Sequence, residues 1–278
     1  MSDADVANAD ADSGVVAPAP VSMTENRPLL GVLLVIGATL LFACNDATNK
    51  YLLASYDVPL VAAIRYIVHA LLMLAILGPF QGRDMVRTTR TGLVVLRSLC
   101  LVVASLFAGL ALQLMPIAET TSIIYLAPIV VVLLARPILG EQIGLMGWLA
   151  ALGGFIGVVL IARPGGGLDP MGVVFALANV VVTVTYYLLS RILARSERTL
   201  ALLFYSALAG AICFGLAMPW FWFGAVPSPF EMALFVSLGL TAGLGHFCFT
   251  AANRYAQASV LAPMTYLHLL WAGLLGFL

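Results

Sequence analysis

Asp46, Arg65 and Glu119 are charges set inside long apolar runs, where an ionisable group is costly unless paired or wetted and so marks a pathway or gate by default. At 1.5 Å per helical residue, Asp46 lies about 6 Å from the end of its run, Arg65 roughly 9 Å and Glu119 about 5 Å, all from one side. They share a layer, and two acids with one arginine are expected there to form a gate or a docking point for charged groups. Lys50 follows Asp46 by four, the spacing of a helical ion pair. His69 follows Arg65 by four and lies deeper, while His268 falls about 15 Å into the last run, near the bilayer centre. A histidine at that depth is suited to binding solute or shuttling protons, because it titrates near neutrality. Asn45, Asn179, Tyr125, Tyr266 and Trp271 complete the candidate cavity lining, with helix packing as the alternative for each.

Other chemistries lack their signatures. His-Glu-x-x-His, Gly-x-Ser-x-Gly and a phosphate loop are all missing from the sequence, so an enzyme is not expected. Cys44, Cys100, Cys213 and Cys248 are scattered through apolar runs without metal-ligand spacing, and neither a metal nor a cofactor is expected. Zero formal charge gives no footprint for nucleic acid.

The elements that must hold these residues are membrane helices. The chain is 62% hydrophobic and 9% charged, against roughly 25% charged in a soluble domain. Apolar runs of about 20 residues match a ~30 Å hydrocarbon core, and their continuity selects helices over a barrel. Nine such segments span 29–50, 59–77, 93–114, 117–135, 145–162, 171–190, 200–223, 231–252 and 258–278. Residues 1–28, with four aspartates and no apolar core, read as a disordered acidic cytoplasmic tail. With the amino terminus inside, nine arginines fall on the cytoplasmic side and only Lys50 and Arg163 outside; Arg65 and Arg97 lie within segments. That asymmetry predicts the orientation, in an inner or plasma membrane.

The sequence also repeats. A shift of 140 or 141 residues brings Gly31-Val32 onto Gly172-Val173 and Met115 to Ala118 onto Tyr255 to Ala258, with segment boundaries coinciding throughout. A five-helix unit has an odd number of crossings, so the second copy is expected upside down. The units are 29–163 and 171–278, and the second is expected to lack a tenth crossing, as in a fragment. Inverted repeats are a mark of secondary transporters, which bind solute near midplane between the copies.

Several stretches carry a family resemblance: 111–119 (Ala-Leu-Gln-Leu-Met-Pro-Ile-Ala-Glu), Tyr125-Leu126-Ala127-Pro128, Leu139-Gly140-Glu141, Gly153-Gly154, Ala162-Arg163-Pro164-Gly165 and Arg254-Tyr255-Ala256-Gln257-Ala258. Together the chain resembles the EamA-type members of the drug/metabolite transporter superfamily. The resemblance implies an all-α integral membrane fold of two inverted five-helix units. It also implies alternating-access transport of small polar metabolites, amino-acid-like or nucleotide- or vitamin-like, proton-coupled or by exchange, and more often outward. The stretch from Pro116 to Glu119 is also similar to importers of adenosylmethionine or riboflavin. The expected partners are a small-molecule substrate, the lipid bilayer and protons, for a monomer or homodimer.

Overall fold

The computed structural model describes residues 27–140, 144–162, 168–222 and 226–277. Its helices are α1 (Pro28–Leu53), α2 (Val58–Gln81), α3 (Thr91–Leu114), α4 (Ile117–Ile124), α5 (Ala127–Leu139), α6 (Leu145–Ala162), α7 (Pro170–Leu193), α8 (Thr199–Phe221), α9 (Pro229–Tyr255), α10 (Ala258–Met264) and α11 (Leu267–Phe277). The acidic stretch 1–26, Glu141 and residues 163–165, on which part of the sequence reading rests, lie outside the described residues.

Among the described residues, eight stretches are long and apolar enough to cross a bilayer, and α6 adds a ninth apolar helix of 18 residues. Each segment read from the sequence therefore holds a helix. Prolines in the first turn start α1, α2, α7 and α9, where the missing N–H has no helical partner to lose. Asp169 caps α7 by accepting from Gly172 N at 2.9 Å, and Ser228 with Glu231 forms a capping box on α9. Leu71, Leu74, Ile212, Leu216, Val236 and Leu240 are exposed on the outside of the bundle, as lipid contact requires.

Two segments expected as single helices are broken. The fourth splits at Tyr125–Leu126 into α4 and α5, because Pro128 cannot donate to the carbonyl of Ile124 and its ring crowds that position. The ninth splits at Thr265–Tyr266 into α10 and α11, where Thr265 Oγ1 donates to Ala262 O at 2.6 Å and the backbone tightens to three-residue bonds.

An offset of 141 carries α1 onto α7, α2 onto α8, α3 onto α9, α4 onto α10 and α5 onto α11, with ends agreeing to within three residues. Close contacts follow the same offset. A Cβ on Gly31 would stand 2.8 Å from the Ala256 side chain, and one on Gly172 would stand 2.6 Å from Met115. Since 31 + 141 = 172 and 115 + 141 = 256, each contact is the image of the other. Helix pairing obeys the same exchange: α1 lies along α9, α3 along α7, and α2 against its own image α8. Gly239 and Gly243 let α9 approach Val68 and His69 of α2, whereas a Cβ on Gly153 or Gly157 of α6 would meet nothing within 4 Å.

Candidate functional site

A cavity of about 260 Å³ enters the bundle between α1, α2, α3, α4, α7 and α11. Its wall includes Asn49 and Leu53 from the last turns of α1, Val58 from the first turn of α2 and Leu112 near the end of α3. It therefore opens at the end of the bundle that holds the α1–α2 connection. The floor is polar and aromatic, built from Asn179, Thr183 and Tyr187 of α7, His246 of α9, and Tyr125 and His268 beside the two helix breaks. The breaks matter here: interrupted helices turn side chains and end groups inward that an unbroken helix would direct at its neighbours.

Asp46 and Arg65 both line this cavity, but not as partners. Asp46 Oδ2 stands 3.2 Å from His268 Nε2, close enough for an ion pair when the ring is protonated but not aligned as a hydrogen bond. The Asp46 side chain is 57% exposed and the His268 side chain 6%, so the acid faces the open mouth while the ring is packed away. Tyr125 stacks on His268 with centroids 5.5 Å apart, and Tyr266 lies 5.9 Å from Tyr125. Arg65 is half-buried, with its guanidinium carbon 4.9 Å from the centroid of the Tyr66 ring, and no carboxylate pairs with it among the described residues. The cavity thus offers one anionic and one cationic group, with flat aromatic surface below.

The other sequence-nominated residues divide. Asn45 and Asn179 line the cavity, yet their amides also tie helices together. Asn45 Nδ2 donates to Leu238 O at 2.9 Å and Thr241 Oγ1 at 3.0 Å; Asn179 Nδ2 donates to Ala104 O at 2.7 Å. Glu119 is not part of the lining, and its Oε2 is buried without a hydrogen-bond partner. The expected triad of Asp46, Arg65 and Glu119 is therefore not assembled as ion pairs. Lys50 is exposed at the end of α1 and makes no ion pair with Asp46. His69 faces α9 and borders a separate apolar groove of about 560 Å³ with Leu72, Met73 and Phe247. Tyr266 and Trp271 stay outside the lining, and Tyr266 Oη and Trp271 Nε1 are buried without partners.

Toward the opposite end of α3, the described residues close over Arg97. Arg97 of α3 is 0% exposed, and all five of its N–H groups meet oxygen. Nε donates to Ser190 Oγ at 2.8 Å, Nη1 to Leu202 O at 3.2 Å and Ser206 Oγ at 3.0 Å, and Nη2 to Tyr186 Oη and Thr250 Oγ1, both at 3.0 Å. Its guanidinium lies 4.5 Å from the centroid of the Tyr186 ring, and Tyr186 Oη is 3.3 Å from Nδ1 of His246 on the cavity floor. Beyond this layer, Glu197 accepts from Thr89 N, Thr89 Oγ1 and Arg90 N, and Asp84 pairs with Arg198 at 2.5 Å. In the sequence Arg97 stands only as an arginine within an apolar segment. An unpartnered charge in an apolar run was the available signal, while its partners on three other helices had none.

The EamA-like transporter family model matches residues 29–163. An S-adenosylmethionine uptake transporter of Rickettsia bellii (strain RML369-C) is 27% identical over 231 residues, covering 82% of this chain and 77% of that protein. A riboflavin transporter of Vibrio cholerae serotype O1 is 27% identical over 143 residues, covering 50% of this chain and 48% of that one. A solved crystal structure that is 23% identical superposes with a TM-score of 0.76, covering 88% of this chain and 86% of that chain, a likeness of fold.

Proposed function

Through residues 29–163 the chain belongs to the EamA-like transporter family, and we propose that this multi-pass membrane transporter takes up a small zwitterionic metabolite bearing a flat aromatic group, of the adenosylmethionine type. The observation that carries the reading is the presence of two opposite, mutually unpaired charges in one small cavity. Asp46 is suited to an α-ammonium, Arg65 to an α-carboxylate, and Tyr125 with Tyr187 to a planar base. A volume of about 260 Å³ falls just below the usual range of roughly 300–1,000 Å³ for ligand pockets, and argues against bulky drugs. The uptake activity named for the Rickettsia relative supports the solute class, and a neutral flavin gives Asp46 and Arg65 less to do.

Uptake is the proposed direction, supported by the uptake named for the Rickettsia relative and by the orientation the charges favour. If the arginine-rich ends face the cytoplasm, the α1–α2 end faces outward, and the cavity is loaded from outside. That favours uptake over the export the family resemblance suggests first. Transport proceeds by alternating access of the two units, with protonation at the Asp46–His268 pair, or exchange for an internal solute, resetting the cycle.

Competition tests the solute class. Purified protein in detergent is titrated with labelled S-adenosylmethionine against unlabelled amino acids, nucleosides, riboflavin and S-adenosylmethionine itself. The reading expects displacement by solutes that combine the zwitterion with an aromatic base, and weak displacement by either part alone. Displacement by riboflavin and not by zwitterions would overturn it.

A further inference from the structure

The offset of 141 residues that relates the two units also relates the open cavity to the sealed Arg97 layer. Of the five oxygens that hold Arg97, four belong to residues whose images line the cavity. Tyr186 maps to Asn45 (186 − 141), Ser190 to Asn49, Ser206 to Arg65 and Thr250 to Gly109. The central contact maps as well: Arg97 itself maps to Leu238, whose carbonyl accepts from Asn45, the image of Tyr186. The two layers sit toward opposite ends of α3. Arg97 lies about 9 Å from its start, and Gly109 is roughly 18 Å further along. One layer is open to water, and the other is its inverted image, closed.

Each layer contains one guanidinium, supplied by α2 at the open end and by α3 at the sealed end. Arg97 is surrounded by four hydroxyls and one carbonyl, and no carboxylate pairs with it among the described residues. Neutral oxygens satisfy its hydrogen bonds but leave its charge uncompensated, a costly state in an apolar core. A lock that served only packing would be cheaper without the charge. A guanidinium whose hydroxyl shell can be exchanged for a carboxylate is suited to binding an anionic group once the layer opens.

We propose that the Arg97 layer is a second docking site for the carboxylate of the transported solute, occupied when the bundle closes at the α1–α2 end and opens at the α7–α8 end. The inference rests on the zwitterion reading above. In the present conformation the layer is the closed gate, and Tyr186 joins it to His246 on the cavity floor. Solute leaving Arg65 would pass this floor and meet Arg97 as the far side opens.

Two measurements decide the matter. In a chain whose four cysteines are replaced by alanine, Ser206→Cys is reconstituted in liposomes and treated with a membrane-impermeant thiol reagent from either side. Labelling from the α7–α8 side, changed by saturating S-adenosylmethionine, is expected; no labelling from that side with or without solute would overturn the proposal. In the second, initial uptake of S-adenosylmethionine and of its decarboxylated analogue is compared for wild type, Arg97→Gln and Arg97→Lys. Arg97→Gln is expected to lower uptake efficiency for the carboxylate-bearing solute by roughly 10- to 100-fold and for the decarboxylated one by less than about threefold, with partial recovery in Arg97→Lys. Equal losses for both solutes would make Arg97 a packing residue and reject the site. If wild-type protein carries neither solute, the zwitterion reading fails, and the labelling still decides whether the layer opens.

Discussion

Asp46→Asn isolates one charge of the cavity while keeping the side chain's size. The carboxylate lies in the cavity wall, 3.2 Å from His268 and 57% exposed. A hydrogen bond to a charged group contributes about 1.5–3 kcal/mol, and water at so open a position screens it toward the lower figure. About 1.4 kcal/mol is a factor of ten in an equilibrium constant, so affinity for a zwitterion should fall about tenfold. The assay is equilibrium binding of labelled S-adenosylmethionine to purified protein, with a desamino analogue as competitor. The analogue lacks the ammonium and should bind wild type and Asp46→Asn within about twofold of each other. Equal weakening of both ligands, or unchanged binding of the zwitterion, would refute the assignment of Asp46 to the ammonium.

Three further outcomes follow from the packing. Asn179→Ala removes the donor to Ala104 O and should cost about 1–3 kcal/mol of stability, read as a lower melting midpoint of the purified protein. Gly210→Ala would put a Cβ 2.3 Å from the Tyr66 ring, so it should reduce the yield of folded protein, whereas Gly37→Ala, with nothing within 4 Å, should behave as wild type on size exclusion. Glu197→Gln loses the charge that accepts from Thr89 and Arg90 at the sealed end; it should lower the melting midpoint and raise reactivity of a cysteine placed at Ser206.

The sequence carried the skeleton because bilayer thickness fixes helix length and the repeat fixes order. Each of the nine apolar segments holds a helix, but two of them run straight through breaks. At the first, Pro128 was in plain view. At the second, the three-residue bonds at Thr265 and Tyr266 depend on local geometry that composition does not encode. Facing was harder to read. These helices are apolar on most sides, so periodicity gives little azimuth. His69 and Arg65, four apart, look like one face, yet His69 packs on Gly243 of α9 while Arg65 lines the cavity. Asp46 and Glu119 share a depth, but depth alone could not say that Asp46 would meet His268 from the far end of the chain. Arg97 was visible as a lone charge, and its meaning lay in Ser190, Ser206 and Thr250, which read individually as unremarkable helix residues.

Counterflow is the first measurement to make on the proposed transport of a zwitterionic metabolite through the Asp46–Arg65 cavity. Proteoliposomes loaded with unlabelled S-adenosylmethionine are diluted into a trace of labelled solute, with wild type and Arg65→Gln side by side. Transient accumulation of label is expected in wild-type vesicles, with its loss or marked slowing in Arg65→Gln. No accumulation by wild type, or equal accumulation by both proteins, would contradict it.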